Sequence, residues 1–424
     1  MKTIDAKNLP SPILLSHLTT TPNQAIKVIN LTGKKELIVD ISLNGEVNGK
    51  YVFPDKPITS EWYSEVTKLE AVHTSLLHID KSNDFTVKFN PNCGIYNSRG
   101  RGFVITNSLE FKVFNPFVHG CRSAGIALEN CSSFTIYDPV SFDTGNYQTA
   151  KGQGKNWPGS IKLKGCNRFI VYNPISGNHV GNGITVTECT DGRFINPVTV
   201  NVDGANIYVN ASENHSVIGA LLLNCNNGIV INSEEENEKP SNGFTIVDCV
   251  GINVVTSIGV WGNEGEKQPI EKAEIANNFF ISTNQEIKFS PNSPITDLVM
   301  RDNHFVDPKS LPKTLMLGIN PLIKSLTNLI PKLVTQDLKI MNEFDTLYGS
   351  LRNGVKGLFE SKPITKEELL SIIGIIQETI VVHESVQNES FTMLVNNIAI
   401  IKEQLQSLKL LVEKMDTGKV TNKG

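Results

Sequence analysis

A short motif returns at a fixed spacing through the first half of the chain, and this repeat limits what the chain can fold into. Its copies start at positions 102, 125, 160, 183 and 206 and read GFVITNS, GIALENC, SIKLKGC, GITVTEC and NIYVNAS. Successive copies are 23, 35, 23 and 23 residues apart, so the long step is one period with 12 extra residues. A fixed period in the low twenties, made of short β-type runs separated by turn residues, predicts a solenoid.

Aligned columns of apolar residues indicate how each repeat is built. Each period contains three short runs in which alternate residues are apolar, which is the pattern of strands that bury one side. The columns are Ile126, Ile161, Ile184 and Ile207; Leu128, Leu163, Val186 and Val209; Phe111, Phe134 and Phe169; Val113, Ile136, Val171, Phe194 and Val217; and, after an Asn-Pro or Asp-Pro turn, Val140, Ile175, Val198 and Leu221. We therefore expect three strands in each turn, with like residues stacked in one interior.

Turn residues repeat with the same period. Asp143, Asn178, Asn201 and Asn224 align after the third strand, and asparagine suits corners because it bonds neighbouring backbone and tolerates unusual dihedral angles. With these columns, the chain resembles the pectate-lyase-like superfamily over about residues 76–308. The resemblance implies a mainly β fold, a right-handed single-stranded parallel β-helix. It does not define an activity, because that superfamily includes lyases, hydrolases, epimerases and viral adhesins.

Three regions are expected along the chain. Residues 1–75 form an N-terminal capping or attachment region, because the end of a β-helix exposes strand edges and apolar core. Within it, QAIKVINLT and KELIVDISL predict strands, and SEWYSEVTKLEAVHTSLL predicts a short amphipathic helix. Residues 76–308 form the β-helix. Residues 309–424, with little Gly and much Leu, Ile and Lys, form an α-helical region that ends in a coiled coil.

The last predicted helix carries a heptad pattern. Its apolar residues are spaced by alternating steps of three and four. They are Phe391, Leu394, Ile398, Ile401, Leu405, Leu408, Val412 and Met415. Apolar residues at both core positions suit more than two strands, which predicts a homotrimer held partly by residues 366–415. The alternative is an intramolecular bundle, in which the predicted helices around 322–333 and 347–358 supply the partners.

Composition and motif content limit the cellular compartment and the kinds of partner that are expected. The formal net charge of −4 leaves no basic excess that would indicate nucleic acid. The N-terminus has no apolar signal core and no apolar run approaches about 20 residues, so we expect neither Sec export nor a membrane span. No zinc, P-loop or dinucleotide motif occurs, so no metal or cofactor is expected.

The seven cysteines have no CxxC spacing. Cys131, Cys166 and Cys189 share one inward column, which predicts a ladder of buried free thiols that behave as small apolar residues. A disulfide or a metal site is the alternative. Thiols of this kind favour synthesis in a reducing cytoplasm.

The insertion in the long step is the first candidate binding site. It lies within DTGNYQTAKGQGKNWPG and projects near a corner of the coil. Its predicted ligand contacts are Tyr147, Lys151, Lys155 and Trp157, joined by Arg122 and Asp203 on neighbouring turns. Aromatic rings stack on sugar rings and lysines bind carboxylate or sulfate groups, so this set predicts a site for an acidic polysaccharide. In the superfamily that the chain resembles, such insertions commonly build the substrate groove; the alternative is a packing flap.

Two further sets of residues are candidates for function. One is an apolar stripe on the outward side of the second strand: Phe114, Tyr137, Tyr172, Ile195 and Ile218. A terminal segment or another protomer is expected to cover it, or it is a sugar-binding platform. The other set is ionisable: Asp143, His179, Asp203 and His119. Because these residues fall largely in the turn ladder and in core-type columns, no catalytic residue is predicted.

The expected architecture indicates a class of function. A cytoplasmically made β-helix that continues into a coiled coil resembles phage tailspike and tail-fibre proteins, which are commonly trimeric, bind cell-surface glycans and sometimes cleave them. This predicts a receptor-binding appendage on a virion surface, attached to other virion or tail proteins through its N-terminal region. The alternatives are a free carbohydrate-active enzyme (polysaccharide lyase, glycoside hydrolase or epimerase) and a structural or decoration protein without catalysis.

Overall fold

The chain forms a parallel β-helix, in which each turn passes through three sheet faces. A computed structural model describes residues 1–47, 50–51, 75–98, 100–121, 123–145, 159–179, 181–233, 241–262, 270–284, 287–289, 295–311 and 313–359. Among these residues, parallel strands form one sheet of 18 strands and one of 11. The larger sheet turns a corner and supplies faces 1 and 3, and the smaller sheet is face 2. The predicted parallel β-helix is confirmed.

The strands are assigned to faces by their pairing. Face 1 contains Lys2–Asp5, Ile26–Ile29, Leu77–Asp80, Phe103–Thr106, Ile126–Glu129, Gly159–Lys164, Asn182–Thr187 and Lys288–Phe289. Face 2 contains Ile13–Leu14, Thr32–Val39, Asn83–Phe89, Leu109–Phe114, Ser132–Tyr137, Asn167–Tyr172, Thr190–Ile195, Glu213–Ile218, Phe244–Val247, Ile270–Ala276 and Ile295–Arg301. Face 3 contains Leu43–Asn44, Ile95–Tyr96, Phe117–His119, Val140–Phe142, Ile175–His179, Phe279–Asn284 and His304–Val306. Three long strands run from face 3 into face 1: Val198–Asn210, Leu221–Ser233 and Val250–Gly262. Glu46–Val47 and Lys50–Tyr51 form an antiparallel hairpin.

The interior is built from the predicted columns of faces 1 and 2. Ile126, Ile161, Ile184 and Ile207 pair in register from turn to turn, and each is fully buried. The rings of Phe111, Phe134 and Phe169 stack with centroids 4.8 and 5.3 Å apart. Each such buried side chain contributes about 1.5–3 kcal/mol. Stacking is required because one turn alone cannot enclose a core.

On face 3, the residues that point into the coil are not the ones that the sequence predicts. Val118 and Leu222 belong to the core inside the coil, and their column continues through Ser141, Ser176 and Thr199. Alternate residues of a strand lie on opposite sides, so the neighbouring column faces outward. That column contains Val140, Ile175, Val198 and Leu221, which are at most 7% exposed. The prediction that they fill the interior is wrong, because the outer side of face 3 is covered as well; the 3-10 helix Ile330–Thr335, for example, lies against Val140–Phe142.

The stack of strands starts earlier than the predicted boundary at residue 76. Lys2–Asp5 pairs in parallel with Ile26–Ile29, which pairs in turn with Leu77–Asp80 on face 1. Thr32–Val39 pairs in the same way with Asn83–Phe89 on face 2. Strands within residues 2–44 therefore belong to the coil itself. The helix predicted for residues 60–77 lies mostly outside the described residues.

Corner residues form hydrogen-bonded ladders with left-handed backbone conformations. Asn178, Asn201 and Asn224 have φ of 48°, 53° and 51°, and each donates its side-chain amide to the residue one turn earlier, starting from Asp143. Asparagine tolerates this conformation better than most residues. The predicted turn ladder is confirmed, and Asn253 extends it by one more turn.

Helices follow the last described strand. The 3-10 helix Pro308–Ser310 begins after Asp307, whose carboxylate accepts a hydrogen bond from the Lys309 amide, and the helices Lys313–Leu329 and Leu338–Phe359 follow. A short helix, Leu15–Leu18, lies near the N-terminus. Contacts divide the chain into two compact units, 1–311 with 327–341 and 312–326 with 342–424. None of the described helices combines the length and apolar character that a membrane span needs. The predicted heptad residues, 391–415, lie outside the described residues.

Candidate functional site

Most of the residues predicted for the insertion site fall outside the part of the chain that the structure describes. Tyr147, Lys151, Lys155, Trp157 and Arg122 are among them, so their predicted role stays a prediction. Asp203 is described: its side chain is exposed, and its backbone carbonyl accepts a hydrogen bond from the Asn226 amide. The chain enters the insertion from face 3 and leaves it directly into the face 1 strand Gly159–Lys164. The base of the insertion therefore borders face 1.

The four ionisable residues do not form one site. The His119 ring lies 2.8 Å from the carboxylate of Asp143, where the turn ladder begins. Burial acts to raise the pKa of Asp143, but hydrogen bonds from His119 and Asn178 outweigh it, so the pKa is lowered. His179 is buried and bonds to the hydroxyl and carbonyl of Thr144. These contacts hold turns together.

The aromatic stripe on face 2 is a closely stacked ladder. Phe114 and Tyr137 lie with ring centroids 4.8 Å apart and planes 5° apart, and Tyr137 and Tyr172 are 5.3 Å and 6° apart. The ring faces are thus turned toward each other, which leaves mainly edges for a sugar. A C-terminal segment also reaches the start of the stripe, because Gln336 accepts a hydrogen bond from Asn115, next to Phe114.

The outer surface of face 1 brings together side chains of a different kind. Two outward columns run along it, one turn per residue. The first is Lys162, Thr185, Tyr208, Val230 and Gly259; the second is Lys164, Thr187, Asn210, Asn232 and Trp261. Tyr208, Trp261 and Lys162 are half-buried, whereas Thr185, Asn210 and Asn232 are at most 5% exposed. Aromatic, amide, hydroxyl and cationic groups therefore share one surface about five strands wide.

Trp261 and Tyr208 frame this surface at its C-terminal end. A Cβ added at Gly259 would lie only 2.8–3.2 Å from three indole atoms of Trp261, so the ring occupies the place of a side chain at 259. Two turns earlier, the Tyr208 hydroxyl accepts a hydrogen bond from the Asn232 amide nitrogen. The Asn232 carbonyl oxygen is buried and has no hydrogen-bond partner among the described residues. A buried, unused acceptor is uncommon in proteins and indicates a missing partner such as water or ligand.

A buried hydrogen-bond network lies at the other end of the same surface. Asp80 bonds to Lys27 at 2.8 Å, to the Thr106 hydroxyl at 2.7 Å and to Asn107 at 2.9 Å. Burial acts to raise the pKa of Asp80, but these three partners outweigh it and lower the pKa to about 2. Asp80 is therefore a paired carboxylate near neutral pH.

His78 completes this network as a neutral ring. Its Nε2 lies 2.8 Å from the Thr106 hydroxyl, whose hydrogen is donated to Asp80. Nε2 must then carry the histidine proton, and Nδ1 is a buried acceptor without a partner among the described residues. Burial lowers the pKa of His78 to about 4. The hydrogen bonds of Thr106 to His78 and to Asp80 join neighbouring turns of face 1, so this network stabilises the fold.

Between the two ends lie charged pairs. Arg101 contacts Glu129 at 2.7 Å, and Lys164 contacts Glu188 at 3.0 Å. Glu129 and Lys164 are neighbours in register, although the ion pairs named here join other partners. The Lys164 pair is nearly half exposed on both sides, so it contributes little to stability.

Lys162, Tyr208, Asn232 and Trp261 are not among the site residues predicted from the sequence. A signal for the first two exists: Tyr208 stands between Ile207 and Val209, and Lys162 between Ile161 and Leu163, all four of them core-column residues. Alternation alone therefore places both outward. Within the described residues, no group of three or more His, Cys, Asp or Glu side chains is arranged to hold a metal ion.

Comparisons with known proteins add likeness of fold. No family model matches the chain, and no curated protein sequence matches it. Among solved structures, the chain is similar to PfbA, a surface adhesin of Streptococcus pneumoniae, with TM-score 0.42 and 10% identity over 66% of this chain and 83% of the adhesin. It is also similar to the catalytic domain of a GH87 α-1,3-glucanase, with TM-score 0.37 and 12% identity over 70% of this chain and 59% of the glucanase domain. A third similar structure is DFA-IIIase of Arthrobacter chlorophenolicus A6 without its lid, with TM-score 0.34 and 11% identity over 71% of this chain and 94% of that enzyme. Each TM-score is below 0.5, so the fold assignment stands on the strand pairing and no activity is transferred.

Proposed function

We propose that this chain is a glycan-binding β-helix protein whose ligand lies on the outer surface of face 1. The observation that carries the proposal is the pair of half-buried aromatic residues, Trp261 and Tyr208, which flank the carbonyl oxygen of Asn232; that oxygen has no hydrogen-bond partner in the described part of the chain. Sugars offer an apolar ring face and hydroxyl donors. An aromatic ring meets the first and an amide oxygen accepts from the second.

The surface favours binding over bond cleavage. Its two strand carboxylates, Asp80 and Glu129, are held in ion pairs with Lys27 and Arg101. Glycoside hydrolysis commonly needs two carboxyl groups with separate roles across one bond. Neither of these carboxylates is available for such a role while its pair is intact.

At a finer level, we propose a receptor-binding appendage of the tailspike or tail-fibre kind, in which a homotrimer recognises a cell-surface polysaccharide. The parallel β-helix and the heptad pattern of 391–415 support this version. Attachment to other virion proteins through the N-terminal region, and display on a virion surface, belong to the same proposal. A free carbohydrate-active enzyme is the competing version.

Glycan-array binding of aromatic variants tests the proposed function. Trp261→Ala and Tyr208→Ala are each compared with wild type on an array of bacterial surface polysaccharides and plant glycans. Tyr172→Ala is the matched control, because it removes a half-buried tyrosine from the face 2 stripe. We expect at least a tenfold loss of affinity for the two face 1 variants and no change for the control. Thermal unfolding of all four proteins separates lost binding from lost folding.

The outcomes point in different directions. Loss only in the two face 1 variants supports the proposal. Loss only in Tyr172→Ala moves the site to the stripe, and binding that survives all three substitutions rejects both surfaces. Release of reducing ends or unsaturated sugars from a bound polysaccharide would favour the enzyme version.

A further inference from the structure

The C-terminal end of the coil leaves two columns of the core partly uncovered. On face 2, Ile275 is fully buried, whereas its register neighbour on the last described strand, Met300, is 51% exposed. On face 1, Val260 is fully buried and its register neighbour Phe289 is 38% exposed. Val299, next to Met300, is 51% exposed as well. The apolar interior of the coil therefore ends at this point in side chains that contact solvent.

Exposed large apolar side chains are concentrated on these last strands. In the described part of the chain there are seven such side chains, and three of them are Phe289, Val299 and Met300. The other four belong to separate parts of the chain: Met1, Leu109, Val255 and Leu338. A single exposed apolar residue is ordinary, whereas several at one place mark an interaction surface. The C-terminal end of the coil is thus a candidate for such a surface.

The same end of the coil has an unpaired strand edge. Ile295–Arg301 is the last strand of the face 2 sheet, and it pairs on one side with Ile270–Ala276. Among the residues that the structure describes, no strand pairs with its other side. Such an edge presents backbone N–H and C=O groups that can pair with another chain. A partner at this end can therefore be held by backbone hydrogen bonds in addition to apolar contact.

The N-terminal end of the coil, in contrast, is closed by its own residues. The first strand of face 2, Ile13–Leu14, leads there into the helix Leu15–Leu18, in which Leu15 and Leu18 are at most 7% exposed. Lys2, on the first strand of face 1, donates from Nζ to the Leu18 carbonyl at 2.7 Å. Lysine at a sheet edge opposes the addition of a further strand. A head-to-tail stack of copies, which would grow into a fibre, is therefore disfavoured.

The charges at the C-terminal end are mixed in sign, which suits contact with a second copy of the same end. Lys288 and Arg301 are exposed cations there, and Asp297 and Asp302 are exposed anions. An end of a single sign would repel an identical end, whereas two ends that carry both signs can place opposite charges together. A two-fold axis produces this kind of contact, because each copy then uses the same surface.

We propose that the C-terminal end of the coil binds the same end of a second copy of this chain. The two Ile295–Arg301 strands then lie side by side and antiparallel, because a two-fold axis reverses the direction of one of them. The second copy covers the exposed apolar side chains. The end consists of residues 287–289 and 295–306, fewer than the roughly 20–30 residues on each side of a stable interface. The association is therefore reversible and depends on protein concentration. It is separate from the predicted coiled coil and doubles whichever unit residues 391–415 form.

Light scattering of the full chain over a range of concentrations tests this contact. Wild type is compared with Val299→Lys/Met300→Lys, which places two charges at the edge. The matched control is Leu109→Lys/Leu338→Lys, because these residues are 40% and 75% exposed on other elements of the chain. Across the concentration range, the masses of wild type and control should rise about twofold, because a two-fold axis adds one equal unit. The mass of the end variant should stay constant. Thermal unfolding establishes that all three proteins are folded.

Hydrogen exchange of the wild-type protein at low and high concentration is a second measurement, which does not depend on the folding of a variant. The backbone amides of Ile295–Arg301 should exchange more slowly at high concentration, because the second copy protects the strand edge. The amides of Lys2–Asp5, at the other end of the coil, should exchange equally at both concentrations.

Several outcomes would overturn the proposal. Slow exchange of Ile295–Arg301 at both concentrations would mean that another part of the same chain covers the edge. Fast exchange at both concentrations, with a constant wild-type mass, would leave the end open to a different protein and reject self-association. Mass doubling that Val299→Lys/Met300→Lys retains, or that Leu109→Lys/Leu338→Lys also loses, would move the contact away from this end.

Discussion

A single glycine sets the start of the insertion that borders face 1. Gly145 has φ of 67°, in the region that side chains rarely adopt. A Cβ built on it would lie 2.1 Å from Cε1 of His179, a ring that is held by two bonds to Thr144. Gly33 has a similar φ of 75°, but an added Cβ there meets nothing within 4 Å. The two glycines therefore share backbone strain and differ in packing.

We expect Gly145→Ala to destabilise the protein more than Gly33→Ala. Both variants pay about 1–2 kcal/mol for a left-handed alanine. Gly145→Ala adds about 1–3 kcal/mol because His179 must move in a packed site. Denaturant unfolding of the two variants measures the difference. Equal losses would mean that His179 yields easily and does not anchor the insertion.

Two buried histidines predict how stability depends on pH. Burial lowers the pKa of His78 and of His215 to about 4, from an ordinary 6.5. Between these values the unfolded chain binds more protons than the folded one, so stability is complete above about pH 6.5 and falls as pH drops toward 4. Each histidine contributes at most about 3 kcal/mol to this fall. Urea unfolding at pH 7 and pH 4.5 measures it.

His78→Gln tests the assignment. Glutamine keeps a donor for Thr106 and does not titrate, so the fall in stability between pH 7 and pH 4.5 should be smaller than in wild type. Asp80 does not interfere, because its pKa of about 2 confines its loss of stability to more acidic solutions. A variant with the full wild-type fall would contradict the role of His78.

At the scale of elements, an inward ladder of serines and cysteines closes one corner of the coil. The Ser82 amide donates to the Ser108 hydroxyl, the Cys166 amide to the Cys189 thiol, and the Cys189 amide to the Ser212 hydroxyl. Each side chain thus satisfies a buried N–H of the preceding turn. All seven cysteines are free, and burial raises the pKa of the Cys131 and Cys189 thiols. Cysteines in this ladder therefore have two roles: the Cys189 thiol accepts a hydrogen bond, and the buried side chains pack in the apolar core.

Ser212→Ala should cost about 1–3 kcal/mol. The substitution leaves the buried Cys189 amide without its acceptor, and an unmade buried hydrogen bond carries a full desolvation penalty. Ser212→Cys should cost less, because a thiol already fills this place one turn earlier at Cys189. Chemical denaturation compares the two. If Ser212→Cys lowers stability as much as Ser212→Ala, the stability of the ladder depends on the size of the side chain at position 212 and not on its hydrogen-bond acceptor.

At the scale of the whole molecule, the fold buries apolar residues on both sides of face 3. Inside the coil lie Val118 and Leu222, and outside lie residues such as Phe142 and Leu223, which are at most 3% exposed. The coil therefore needs other parts of the chain to cover it. Residues 327–341 belong to the same compact unit as the coil and provide part of this cover.

Light scattering tests the predicted homotrimer. The full chain should have three times the mass of one protomer, because the heptad residues 391–415 need partner helices. Truncation after Pro363 removes these residues and should lower the mass or the stability of the assembly. Truncation after Met415 removes only the tail and is the control. A monomeric full-length protein would reject the trimer and favour an intramolecular bundle.

The sequence alone determined the class of fold and its interior. Positions that stack in register carry side chains of similar type. The 23-residue period was therefore enough to identify the columns of Ile126 and Phe111 and the corner at Asn201. The first strands are not recognisable as part of the coil, because strands between residues 2 and 44 pair with it without repeating its motif. Periodicity reveals a strand only where neighbouring turns have similar sequences.

Only the tertiary structure decided which side of face 3 is the core and which side chains share face 1. Alternation marks Val140 as buried, but a buried position can face the interior or a covered outer surface. Lys162 and Trp261 are about 100 residues apart in the chain and meet on one surface because four turns of the coil place them there. The local sequence pattern carries no information about the distance between two such residues in space, because the stacking of strands sets that distance.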